Sequence, residues 1–170
     1  AADLVHIRGL TGLRDLQLDE MLIGEEGGKY IGGLESLVSL HGYFDNAGLR
    51  MLRGLTDLQT LFIGGRDLTD DGMAALAGMT SLRFLFIAAT RGVTNAGLTH
   101  LREMSDLREL VILSRGITND GLKRIGGLTS LRRLTVNGGG ISDAGLVHLQ
   151  SLTSLEQLSI ELDERDGGGL

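Results

Sequence analysis

Residues 104–127 read MSDLRELVILSRGITNDGLKRIGG, and this stretch decides the fold because its pattern recurs along the chain. The first half has apolar residues in the pattern L-x-x-L-x-x-L-x-[LIV], namely Met104, Leu107, Leu110 and Ile112. The second half follows the pattern [ILV]-[ST]-[DN]-x-G-[LM] from Ile117. The first pattern occurs seven times, beginning at Leu10, Leu34, Leu55, Met79, Met104, Leu128 and Leu152. Spacings of 21 to 25 residues over seven copies predict a repeat protein.

The two halves predict one strand and one short helix in each repeat. Leu110 and Ile112 alternate with Val111, so the first two point inward and Val111 points to solvent, as in a half-buried strand. In the second half, apolar residues recur every three positions from Leu122, which is typical of a short helix or 3₁₀ turn with one buried stripe. One strand and one helix cannot bury an apolar face alone, whereas stacked neighbours can, so the sequence predicts a solenoid.

Polar residues mark the start of each predicted helix, in the pairs Thr94-Asn95, Thr118-Asn119 and Ser142-Asp143. Their oxygens suit the free amides of a helix start, so we expect them to cap their own helices. We interpret Asp70-Asp71 in the same way, rather than as an acid–base or calcium site. A glycine in the first turn, such as Gly121, weakens a helix, which indicates that close packing requires it.

These two motifs resemble those of leucine-rich-repeat proteins. The segment ITNDGL from Ile117 is similar to the helix start of the subclass found in F-box adaptor proteins and many bacterial repeat proteins. The resemblance covers about residues 4–162. It implies an α/β solenoid, a horseshoe with one parallel sheet of about seven strands and short helices or 3₁₀ turns on the convex side. We place the solenoid at residues 1–162 and a flexible C-terminal tail at residues 163–170.

The chain departs from this subclass after each strand and at its ends. The usual cysteine or asparagine after the strand is replaced by Arg66, Thr90, Arg115 and Gly139. We therefore expect the side-chain ladder that often joins these loops to be mostly absent, so that backbone polar groups pair in other ways. Neither end carries a recognisable cap, which predicts either a segment of a longer protein or ends covered by another subunit.

Aromatic residues gather on the predicted exposed face of the sheet. The outward side chains form columns, of which the central one reads Gln17, His41, Phe62, Phe86, Val111, Thr135 and Ser159. A second column contains Phe84, and a third is predicted to contain Asp19, Tyr43 and Leu113. An apolar centre with a polar rim is typical of a binding site. We predict a partner-binding site made of Phe62, Phe84, Phe86, Val111, Leu113, His41, Glu109 and Arg133.

Two other interpretations of this patch stay open at this point. The phenylalanines can serve only to stabilise the sheet by packing across strands, or they can be buried against a neighbouring domain of a longer chain. For the chain as a whole we expect a non-enzymatic protein–protein interaction module that binds through this face. The alternatives are a structural or self-associating repeat domain that stacks through its uncapped ends, and the targeting arm of a larger enzyme or effector.

Composition argues against several other functions. The absence of cysteine excludes a disulfide scaffold, a thiolate metal site and a cysteine nucleophile. A net charge of −6 disfavours nucleic acid as a partner, and no apolar run reaches the roughly 20 residues that span a membrane. His6, His100 and His148 share one position of different repeats, too far apart for one metal ion. We therefore expect no catalytic residue, metal or cofactor, and a cytoplasmic or other reducing compartment, with a bacterial source favoured.

Overall fold

The computed structural model describes residues 2–89 and 91–161 and consists of stacked strand–helix repeats. Seven strands form one parallel sheet, in which their spatial order is their order in the chain. They are β1 (Asp15–Ile23), β2 (Ser39–Phe44), β3 (Thr60–Gly64), β4 (Phe84–Ala88), β5 (Glu109–Leu113), β6 (Arg133–Asn137) and β7 (Gln157–Glu161). The predicted solenoid with a seven-stranded parallel sheet is confirmed, and the predicted tail at residues 163–170 lies outside the described residues.

Short helices connect the strands and pack against one another from repeat to repeat. The α-helices are α1 (Glu25–Gly32), α2 (Asn46–Arg50), α3 (Asp70–Met73), α4 (Asn119–Ile125) and α5 (Asp143–Leu146). Further 3₁₀ helices cover Ala2–Ile7, Ala74–Leu76, Gly97–Leu101 and Val147–Leu149. The predicted mixture of short helices and 3₁₀ turns is confirmed. None of the helices in the described ranges has the length and hydrophobicity that a membrane-spanning segment requires.

The core is a continuous stack of the apolar positions of both motifs. In the repeat that begins at Met104, the side chains exposed by 1% or less are Met104, Leu107, Leu110, Ile112, Ile117, Leu122 and Ile125. Full burial of one such side chain contributes about 1.5–3 kcal/mol. Because each repeat buries these groups against its neighbours, the stability of a repeat depends on the repeats beside it.

Backbone hydrogen bonds join consecutive repeats just before each strand. The Arg108 carbonyl accepts from the amides of Arg132, at 2.8 Å, and Arg133, at 3.0 Å. The same double acceptance recurs at the carbonyls of Arg14, Val38, Gln59, Arg83 and Arg132. One carbonyl per repeat thereby pairs with two amides that would otherwise lack a partner where the chain enters the sheet.

A ladder of side chains joins the helix starts of consecutive repeats. Asn95 Nδ2 donates to Thr118 Oγ1 at 2.8 Å, and Asn95 Oδ1 accepts from the Thr118 amide at 3.0 Å. The same pair of bonds joins Asn46 to Thr69 and Asn119 to Ser142. In the remaining repeat, Asp70 accepts from the Thr94 amide at 2.7 Å, from the Thr94 hydroxyl at 2.6 Å and from the Gly97 amide at 3.0 Å.

This ladder corrects one prediction about the helix starts. The prediction that each polar pair caps its own helix is wrong for Thr118 and Ser142, neither of which makes a capping bond. Their hydroxyls accept instead from the asparagine of the preceding repeat, which is Asn95 for Thr118 and Asn119 for Ser142. Local capping does occur at Asp45, which accepts from the Gly48 amide at 2.7 Å. The expectation that a side-chain ladder is mostly absent concerned the loops directly after the strands, and this ladder does not contradict it. The ladder stands at the helix start instead of directly after the strand.

The first strand departs from the repeat pattern through a bulge. Gln17 pairs with His41 and Leu22 pairs with Tyr43, so residues 18–21 lie opposite the single residue Gly42. The cause is a difference in loop length, because the second repeat has 21 residues where the first has 24. β2 therefore runs directly into its helix start, and the longer connection of the first repeat is looped out beside it.

The bulge changes the assignment of several residues. Ile23 is fully buried, whereas Leu18 is half-buried and packs at the margin of the core. Gly42 stands where Ile63 stands in the next strand, and the vacant space is filled by the side chains of Ile23 and Phe44. A β-carbon on Gly42 would lie 2.9 Å from Ile23 Cδ1.

Candidate functional site

The face of the sheet that points away from the helices carries three columns of side chains in register. The central column agrees with the predicted order and reads Gln17, His41, Phe62, Phe86, Val111, Thr135 and Ser159. The second column reads Asp15, Ser39, Thr60, Phe84, Glu109, Arg133 and Gln157. The third column corrects one prediction, because the bulge puts Leu22 instead of Asp19 beside Tyr43.

Four rings form what we call the aromatic cluster, which consists of His41, Phe62, Phe84 and Phe86. The Phe62 ring centroid lies 4.9 Å from His41, 4.8 Å from Phe84 and 5.1 Å from Phe86. Phe62 and Phe86 lie directly opposite each other in register, and their ring planes differ by 26°. Centroid distances of this size favour attraction between rings. Residues directly opposite each other on neighbouring strands are close enough for their rings to meet.

The aromatic cluster is both packed and accessible. All four of its side chains are half-buried, although they lie in the middle of the sheet face. Phe44, by contrast, is fully buried. The cross-strand packing that the sheet-stabilising interpretation predicts is therefore present, but it leaves part of each ring surface open. An open apolar surface of this kind is available to a further contact.

Two further apolar residues extend the aromatic cluster towards β5. Val111 lies opposite Phe86 in the central column and is half-buried. Leu113 lies in the third column, between Ala88 and Asn137, with 37% of its surface exposed. The structure thus brings the predicted apolar residues onto one face of three adjacent strands, with Leu113 at the side.

Charged residues border the aromatic cluster on two sides. Arg133 donates through Nε to Glu109 Oε2 at 2.8 Å, and Glu109 lies opposite Phe84. On the other side, His41 Nδ1 is 3.7 Å from Asp19 Oδ1, which makes an ion pair only when His41 is protonated. Exposed pairs of this kind contribute about 1 kcal/mol or less to stability. Their effect on this face is to surround an apolar centre with charges of both signs.

An apolar concavity beside the bulge was not predicted from the sequence. It has a volume of about 360 Å³ and is lined by Met21, Leu22, Tyr43, Gly65, Arg66 and Asp67. Leu22 and Tyr43 are 49% and 43% exposed, and the Tyr43 ring is 6.5 Å from His41. The shortened second repeat is the sequence signal that could have indicated it. The concavity continues the apolar surface from the aromatic cluster to the bulge.

The centre of this face is an apolar surface. Among the residues that the structure describes, no three histidine, aspartate or glutamate side chains are grouped closely enough to hold a metal ion. The side chains at its centre are hydrocarbon, with polar groups only at the border. Such a surface excludes water and binds a complementary apolar surface.

A solved structure of a bacterial protein shares this architecture. Internalin C2 from Listeria monocytogenes superposes with a TM-score of 0.58 at 24% identity, over 78% of this chain and 55% of that one. The chain has the leucine-rich-repeat fold. For a second Listeria monocytogenes internalin, inlF, the TM-score is 0.43 at 19% identity, over 92% of this chain and 57% of that one. This leucine-rich-repeat chain thus spans a little over half of the length of either internalin.

At the level of sequence, the leucine-rich-repeat chain has no comparable match. No protein-family model matches it. No curated protein matches it significantly. The likeness to the internalins therefore concerns the fold, and the surface of this chain has to be interpreted from its own residues.

Proposed function

We propose that this leucine-rich-repeat chain is a non-enzymatic module that binds another protein through the aromatic cluster. The observation that carries the proposal is the half-buried state of Phe62, Phe84 and Phe86 at mid-sheet. Aromatic side chains at the centre of an interface are frequent hot spots, each worth about 2 kcal/mol or more on truncation. Val111 and Leu113 complete the apolar contact area.

The sheet makes the contact surface rigid. The rings stand on neighbouring parallel strands, and Phe62 touches His41, Phe84 and Phe86 before any partner arrives. Because their positions are held by the repeats, little side-chain entropy is lost on docking. Seven strands spaced about 4.8 Å apart give a face roughly 30 Å long, which suits an interface of ordinary size.

The charged border supplies orientation. Glu109 and Arg133 flank the aromatic cluster on one side, and on the other side Asp19 lies beside His41, the outermost ring of the cluster. Charges at the rim of an interface mainly set association rate and exclude wrong partners, while the apolar centre supplies affinity. We therefore assign Glu109, Arg133 and His41 to specificity.

The proposal is tested by affinity capture from a lysate of the organism that encodes the chain, with bound proteins identified by mass spectrometry. The test variant is Phe84→Glu combined with Phe86→Glu, because both side chains project from the sheet face. The control is Val147→Glu, which adds a single negative charge at a 53% exposed apolar residue among the helices. Circular dichroism verifies that both variants are folded.

We expect the double variant to lose one or more proteins that the wild type and Val147→Glu both retain. Identical captured sets for all three would refute binding at the aromatic cluster. Analytical ultracentrifugation of the wild type and the double variant tests whether the ligand is a second copy of the chain. Self-association that the double variant abolishes would make the partner another copy of this chain.

A further inference from the structure

A groove between two helices is lined by positively charged side chains. It lies on the opposite side of the sheet from the aromatic cluster. It lies between the 3₁₀ helix Gly97–Leu101 and α4, and its volume is about 440 Å³. Its lining residues are Thr99, Arg102, Asp120, Lys123 and Arg124. Three cations and one carboxylate thus meet in one concavity of a chain whose net charge is −6.

The three cationic side chains have N–H donors that are available to a ligand. Lys123 and Arg124 are exposed, and within the described ranges neither forms an ion pair. Arg102 donates through Nε to Glu103 at 3.0 Å, which leaves its terminal nitrogens for another acceptor. Both partners of that pair are exposed, so the pair is weak and an incoming anion can compete with it.

The cluster does not follow from the repeat. In the third repeat, Ala74 and Ala75 stand where Lys123 and Arg124 stand in the fifth. The sixth repeat has Val147 and His148 at those positions. Single cations recur at the Lys123 position, as Lys29 and Arg50 in the first two repeats, but the adjacent pair Lys123-Arg124 occurs only in the fifth repeat.

We infer that this groove binds a ligand that carries two or more adjacent phosphate groups. Arginine pairs with phosphate through two parallel hydrogen bonds, lysine adds a compact charge, and the Thr99 hydroxyl adds a donor. The volume is in the range of small-ligand sites and exceeds the need of one phosphate. Asp120 opposes the anion, so it limits affinity.

Binding is measured by isothermal titration and by NMR titration at low ionic strength, with sodium tripolyphosphate as the probe. The variants Arg102→Gln, Lys123→Gln and Arg124→Gln each remove one cation, and we expect about twofold to fivefold weaker binding for each. Asp120→Asn removes the opposing carboxylate and should strengthen binding by a similar factor. The control is Arg132→Gln, an exposed arginine outside the groove that pairs with Glu156.

Saturable binding that follows this pattern supports the site. Absence of saturable binding, or an equal effect of Arg132→Gln and Lys123→Gln, overturns it, because attraction would then be general. Sedimentation with phosphatidylcholine vesicles, with and without phosphatidylinositol bisphosphate, separates two sources of the ligand. Co-sedimentation that requires both Lys123 and the bisphosphate lipid assigns a membrane lipid, and tripolyphosphate binding without co-sedimentation assigns a soluble ligand.

Discussion

Asn95 and Thr118, which are 23 residues apart in sequence, hold two adjacent repeats together through one carboxamide. The amide nitrogen of Asn95 donates to the Thr118 hydroxyl, and its oxygen accepts from the Thr118 backbone. A carboxamide can do both, whereas a methyl group can do neither. The pair therefore couples the start of one helix to the start of the next.

Replacing Asn95 by alanine should lower the free energy of unfolding by about 1–3 kcal/mol, since it leaves the part-buried Thr118 amide without its partner. Urea unfolding followed by circular dichroism measures the loss. Asn95→Asp is the matched variant, because it keeps the acceptor and the Thr118 hydroxyl can donate to it, as Thr94 does to Asp70. We expect it to lose less than half as much. Equal losses for both variants would show that the ladder contributes nothing through its acceptor.

Gly121→Ala should destabilise the chain, although alanine ordinarily favours a helix by about 0.5–1 kcal/mol over glycine. A β-carbon there would lie 2.7 Å from Asn95 Oδ1 and 2.7 Å from Ile117 Cγ2, so the ladder has to move. Gly127→Ala is the control, because no atom lies within 4 Å of its β-carbon position and the substitution should be neutral or slightly stabilising. Thermal unfolding of both variants gives the sign. A more stable Gly121→Ala protein would contradict the contact with Asn95.

Local periodicity was sufficient to predict the register of strands β2 to β7. The alternation around Val111 places its neighbours inward, and a shift by one residue would expose them, so the open column follows from the pattern alone. The partner of Asn95 could not be found in this way, because it lies in the next repeat. The recurrence of asparagine or aspartate two residues before a first-turn glycine, as at Asn95 and Gly97, was the available signal.

The bulge in β1 was not predictable from one repeat at a time. Leu18 satisfies the repeat pattern as well as Ile63 does. Leu18 has no partner in the register with β2 because the connection after Gly42, which belongs to the neighbouring repeat, is shorter. The apolar concavity beside Tyr43 follows from the same mismatch. A sequence comparison of adjacent connection lengths would have indicated both.

Restoring the repeat pattern at Gly42 should destabilise the protein. Gly42→Ile introduces the residue type found at Ile63, but Phe44 Cε2 would lie 3.0 Å from the new β-carbon. Overpacking of this kind costs about 1–3 kcal/mol. Combining it with Phe44→Leu should recover part of the loss, since the smaller side chain vacates the space. Urea unfolding of the two single variants and the double variant gives the coupling energy, and strict additivity would mean that Phe44 does not occupy that space.

Phe62→Ala and Phe44→Ala compare how much a ring on the sheet face and a ring in the core contribute to the free energy of unfolding. Phe44 is fully buried, so its truncation should cost about 3–5 kcal/mol of unfolding free energy. Phe62 is half-buried, and its contacts with Phe84 and Phe86 are worth about 0.5–1.5 kcal/mol each, so we expect a smaller total loss. Urea unfolding measures both losses under identical conditions. If Phe62→Ala costs as much as Phe44→Ala, the aromatic cluster belongs to the core, and its partial exposure no longer supports a role in binding.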